Sequence, residues 1–122
     1  MATVTAEMTK GAYPILQDVW HRKIGRIEGM QRIQQSTGMN QNTAGRLIDI
    51  FLHMMDGAGF ASTFNNFTFE FLLKSIKNDY GVEYFHKALN ATKAHIVYYE
   101  GKCSVHRTAL RKVIADLENQ LK

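Results

Sequence analysis

"TGMNQNTAGRLIDIFLHMM", residues 37 to 55, is the stretch on which the reading of this chain turns. A glycine and a short polar run are followed by Ala44 and Leu47 at helical spacing. Gly38 is a stop signal for a short helix expected over about Met30 to Ser36. Asn40 or Asn42 then caps a helix expected to continue to about Asp56, where Gly57 and Gly59 break it. This is the order of the turn and second helix of a helix-turn-helix. With Gly38 as the turn glycine, Ile33, Met39, Ala44 and Leu47 fall where two steeply crossed helices need apolar side chains. Gln41, Asn42, Thr43 and Arg46 then project from the start of the second helix. Asn and Gln amides pair with adenine and a guanidinium pairs with guanine, so these four are the candidate base readers. Two features point the other way. Gln34 stands where a small residue is usual, and "LIDIFLHMM" is apolar almost all round, as in a buried central helix. A DNA-reading element and a plain structural join both fit the stretch.

Outward from it, the pattern is helical throughout. A first helix is expected from about Tyr13 to Ile27, with Ile15, Leu16, Val19, Trp20, Ile24 and Ile27 near one face. Pro14 sits near its start, where a missing N–H costs least, and Gly25 and Gly29 weaken or end it. Asn66 or Thr68 caps a helix to Tyr80 that carries Phe69, Leu72, Leu73 and Ile76 and is closed by Gly81. Val82 to Glu100 is the clearest amphipathic segment, with Phe85, Leu89, Thr92, Ile96 and Tyr99 in a 3–4 pattern and Gly101 at its end. Ser104 caps a last helix whose buried stripe is Val105, Ala109, Val113, Ile114, Leu117 and Leu121.

The chain has 122 residues, 45% of them hydrophobic and 21% charged, which is an ordinary globular balance and enough chain for one core. One cysteine, Cys103, excludes an intramolecular disulfide. No apolar run approaches the ~18 residues of a membrane span, and "MATVTAEMTKGAY" lacks the basic start and apolar stretch of a secretion signal. A cytoplasmic protein with no membrane partner is expected.

A net charge of +4 is compatible with a polyanion. The basic residues gather in two places. Residues 20–32 hold Arg22, Lys23, Arg26 and Arg32 against Glu28, and residues 102–112 hold Lys102, Arg107, Arg111 and Lys112 with no acid. They read either as phosphate-tracking surfaces or as solvated helix faces.

Metal and catalytic chemistry find little support. Cys103 and His106 are three apart, but one Cys–His pair does not supply the three or four ligands of a zinc site. His53 and His95 lie on apolar helices, as core or edge histidines do. No phosphate-binding glycine loop, nucleophile signature or paired carboxylates occur. No cofactor, metal or catalytic residue is expected, and the chain is read as not an enzyme. "FASTFNNFTFEF", residues 60 to 71, has five phenylalanines in twelve residues. Several must be core, and Phe60 and Phe64, with Tyr98 at a helix end, are the candidates for an exposed interface.

Four pieces carry a resemblance: "GMNQNTAGRLIDIFLHMM" (38–55), "DYG" (79–81), "ALNATKAHIVYYEG" (88–101) and "HRTALRK" (106–112). In this order they resemble a helical module in the amino-terminal part of some bacterial HNH-type restriction endonucleases, the "AHIVYYEG" segment before a basic helix being the most specific part. In that family the nuclease motif lies in a separate carboxy-terminal domain, so the resemblance implies an accessory module and transfers no catalytic residue.

The expectation is an all-α single domain over residues 1–122, with 1–10 flexible, of five or six helices. Its favoured function is a non-enzymatic DNA-binding or DNA-associated module of bacterial or phage defence systems. The alternative is a protein–protein module, a small regulator or inhibitor that docks on a nuclease or self-associates as a homodimer. A standalone remnant of a restriction enzyme is the third possibility.

Overall fold

Thr5, rather than any signal near Tyr13, starts the first helix. The structure, a computed structural model, describes residues 4–103 and 107–120. In it the Thr5 hydroxyl accepts the Met8 N–H at 3.2 Å, and Glu7 in the first turn sits favourably against the helix dipole. Helix α1 therefore runs Ala6–Trp20. Residues 6–10, expected to be flexible, are helical, and Pro14 lies in the helix interior, where it removes one bond from the ladder.

The end of α1 is also earlier than the apolar spacing predicts. The Arg22 N–H bonds the Val19 carbonyl and the Lys23 N–H bonds that of Asp18, with Arg22 left-handed at φ 61°. This is a Schellman stop with arginine where glycine is usual. The expected continuation to Ile27 is corrected accordingly: Ile27 falls in the first turn of α2 (Arg26–Thr37) and is 69% exposed instead of lying on a buried stripe.

Gly29, inside α2, is buried because a Cβ there would meet Val19 Cγ2 at 2.7 Å and Ile48 Cδ1 at 3.1 Å. Its missing side chain is what lets the backbone approach so closely. Gly38 ends α2 at φ 80°. Asn40 then caps α3 (Gln41–Asp56): its carbonyl accepts the Ala44 N–H and its side chain the Asn42 N–H, both at 2.8 Å. At the far end Gly57 and Ala58 bond back to Met54 and His53 in a second Schellman stop.

The chain divides into two compact units, residues 1–52 and 53–122, with the boundary inside α3. In the first, α1 packs on α2, and Ala12, Leu16, Ile33, Leu47, Ile48 and Phe51 are fully buried. Tyr13 meets Phe51 edge to face, with centroids 5.9 Å apart. The second unit holds α4 (Asn66–Tyr80), α5 (Val82–Cys103) and α6 (Thr108–Asn119), with α4 against both of the others. Asn65, not the expected Asn66 or Thr68, is the cap, accepting both the N–H and the hydroxyl of Thr68 at 2.8 Å. The α4 and α5 stripes are buried as read, apart from a half-buried Tyr99. Helix α5 continues through Gly101 to Cys103. The α6 stripe is Leu110, Ile114 and Leu117, with Ala109 exposed and Val113 half-buried. The expected cap Ser104 and the stripe residues Val105 and Leu121 lie outside the described residues. Among the described residues all regular structure is helical, and no helix is long and apolar enough to cross a membrane.

Candidate nucleic-acid interface

In the first unit, α2, Gly38 and α3 form two helices joined through a tight turn. Ile33, Met39, Ala44 and Leu47, the four positions that a helix-turn-helix packs, are all buried. Asn42 and Arg46, one turn apart on α3, are exposed, with Gln41 and Thr43 half-buried beside them. Three of the four candidate readers already have side-chain contacts, two of them with each other. Gln41 Nε2 donates to Gln34 Oε1 at 2.6 Å across the turn, so Gln34, the residue out of pattern, spans the joint instead of filling it. Arg46 Nη2 lies 3.4 Å from the Thr43 hydroxyl, a long contact on the exposed face. Beyond this first stretch, Leu47, Ile48, Ile50, Phe51, Met54 and Met55 are buried, so the exposed stripe is narrow.

The basic cluster of this unit is partly neutralised. Arg26 forks onto Asp49 through two bonds of 2.9 Å, an arrangement that raises the guanidinium above its ordinary pKa, chiefly through the side-chain hydrogen bond. Asp49 shares the α3 face with Asn42 and Arg46 by helical spacing, and Arg26 offsets its charge there. Arg32 pairs with Glu28 one turn away on α2. Both pairs are about half exposed and are worth little in water. Arg22 and Lys23 stand exposed just ahead of α2.

The second cluster falls in the other unit, and its two arginines serve the fold. Arg107 donates to the hydroxyl of Thr63, to the Phe64 carbonyl at 3.2 Å and to Asn66 Oδ1 at 2.8 Å. Its guanidinium lies over the rings of Phe69 and Tyr99, 5.8 and 5.6 Å from their centroids. Its backbone N–H donates to Glu100 Oε2 at 2.7 Å, and the same carboxylate takes both Nε and Nη2 of Arg111. Glu100 thus clamps the end of α5 to the start of α6. Arg107 and Arg111, expected on phosphates, are held by these internal partners. Lys102 and Lys112 are exposed.

Phe60 and Phe64, expected at an interface, are packed inside instead, each 9% exposed. Phe60 stacks on His95 at 4.5 Å and on Phe69 at 5.8 Å between centroids. The exposed member of the phenylalanine stretch is Phe67, at 41%, stacked one helical turn away on Phe71. Tyr98 is exposed as read, at 49%, next to Val97 at 66%. An open pocket of about 320 Å³ lined by Gly59, Phe60, Ala61, Ala94 and Tyr98 adjoins it.

The sequence reading missed Asp49, Glu100 and Thr63 as partners. Their side-chain pairs with Arg26, Arg111 and Arg107 span 11 to 44 positions of chain, whereas the i,i+4 pairs Glu28–Arg32 and Glu70–Lys74 carry a local signal. Among the described residues no three His, Cys, Asp or Glu side chains are grouped as a metal ion would need. His106 lies outside the described residues. Compared with family models, curated proteins and solved structures, the chain matches none.

Proposed function

We propose that this chain is a non-enzymatic DNA-binding module that contacts duplex DNA through the first turns of α3. Asn42 and Arg46 meet base edges, and Arg22 and Lys23, just ahead of α2, meet phosphates. One observation carries the reading: Ile33, Met39, Ala44 and Leu47 are buried around a left-handed Gly38 while Asn42 and Arg46 stay exposed one turn apart. Arg22 adds support, because an exposed non-glycine residue in the left-handed region is held there at a cost. The resemblance to the amino-terminal module of HNH-type restriction endonucleases supports a role in bacterial or phage defence and brings no catalytic residue, and the single cysteine supports a cytoplasmic setting.

Fluorescence anisotropy of a labelled duplex against micromolar protein tests this. Binding is expected at about 50 mM salt and should weaken as salt rises, since each phosphate contact releases counterions. Absence of binding at low salt would overturn it.

A second reading, a docking module for another protein, is favoured by the exposed Val97, Tyr98 and Phe67 of the second unit. Light scattering over a concentration series checks its self-association form.

A further inference from the structure

We propose that His95, Thr63 and Arg107 form an acid-sensitive latch that holds the loop over residues 57–65 onto α5, and that protonation of His95 releases it. The loop has no helix of its own; besides the buried Phe64, whose carbonyl accepts from Arg107, it is attached through His95. The Phe60 ring is stacked on His95 and Phe69, its carbonyl lies 2.8 Å from His95 Nδ1, and the Thr63 hydroxyl lies 3.2 Å from His95 Nε2.

The direction of each bond follows from chemistry. A backbone carbonyl only accepts, so Nδ1 carries the proton and donates to Phe60. In the neutral ring Nε2 is then an acceptor, and the Thr63 hydroxyl donates to it. Arg107, which can only donate, fills a lone pair of the same hydroxyl. The chain of donors runs one way: Arg107 to Thr63, Thr63 to His95, His95 to Phe60.

Adding a proton at Nε2 breaks that order. His95 and Arg107 would both donate to Thr63, whose own proton would be left with the Phe64 carbonyl at 3.5 Å, at the limit of a useful bond. Two cations would then meet across one hydroxyl. Among the described residues, the groups that face the ring are Phe60 and Thr63 from the loop, Phe69 from α4, Tyr99 from its own helix and Arg107 at the start of α6. None of these is a carboxylate. The acid of this region, Glu100, is committed to the Arg107 N–H and to Arg111.

Burial, first of all, holds the His95 imidazole below its ordinary range; the bond to Phe60 opposes this, and the Arg107 charge adds to it. Since the folded pKa lies below the unfolded one, the stability supplied by neutral His95 is complete above the ordinary imidazole value of about 6.5. It is lost as pH falls through the folded value.

The test is a ¹⁵N imidazole titration of the whole chain from pH 8 to 5, run alongside amide exchange corrected for intrinsic rates. His95 is expected to titrate below the ordinary imidazole value of about 6.5, with exchange in residues 59–64 rising about tenfold or more on the same midpoint while α4 stays protected. Thr63→Val is expected to loosen the loop already at pH 7.5 and to flatten the pH response. Titration of His95 at or above the ordinary imidazole value of about 6.5 would overturn the latch. So would protonation that leaves loop exchange unchanged, or exchange that rises equally throughout the unit.

Discussion

Arg22 stands where the chain asks for glycine, and that mismatch yields a test at the scale of one residue. Its φ of 61° is a conformation that costs a residue with a Cβ about 1–2 kcal/mol. Arg22→Gly relieves this at the expense of a more flexible unfolded chain, and a net gain of about 0.5–1 kcal/mol is expected in urea unfolding followed by Trp20 fluorescence. If Arg22 also meets phosphate, the same variant should bind duplex DNA more weakly. Gly29 is the opposite case. A Cβ would intrude on Val19 at 2.7 Å, and overpacking of about 1–3 kcal/mol exceeds the helix-propensity gain of about 0.5–1 kcal/mol. Gly29→Ala should therefore lower the urea midpoint. Arg107→Ala deletes the donor shared by Thr63, Phe64 and Asn66, and a loss of about 2–3 kcal/mol is expected in thermal unfolding.

At the scale of elements, local signals were readable where a cap or a glycine coincides with a change of period. Asn40 and Gly57 bound α3, Gly81 separates α4 from α5, and the stripes of α4 and α5 were plain from spacing. The limits of α1 were not readable. Thr5 opens it in a segment with little apolar periodicity, and Arg22 closes it with a residue type that gives no stop signal. Ile27 then looked like a continuation because it keeps helical spacing across a break that only the backbone reveals. The candidate site divides the same way. The burial of Ile33, Met39, Ala44 and Leu47 could be read from the turn, whereas the diversion of Arg26 to Asp49 and of Arg107 to Thr63 depends on partners 23 and 44 positions away. The inward turn of Phe60 escaped for that reason too: its partner, His95, lies on a different element.

For the whole molecule, electrostatics limits what the proposed binding can look like. A net charge of +4 is modest, and internal ion pairs or hydrogen bonds occupy Arg26, Arg32, Arg107 and Arg111. With Arg22 and Lys23 as the phosphate-facing cations of the first unit, the log–log salt slope should be about −2, far from the steep dependence of a protein that covers ten phosphates. Slopes much steeper than this would require the paired arginines to exchange their carboxylates for phosphate. The most direct measurement of the central claim is duplex selection from a randomised pool by the wild-type chain and by Asn42→Ala with Arg46→Ala, at about 50 mM salt. The expected result is a wild-type preference that relaxes at the contacted base pairs in the variant, by about 1–3 kcal/mol per lost bidentate contact, with the fold intact by circular dichroism. A preference unchanged by the two substitutions would contradict the account and return α3 to a purely structural role.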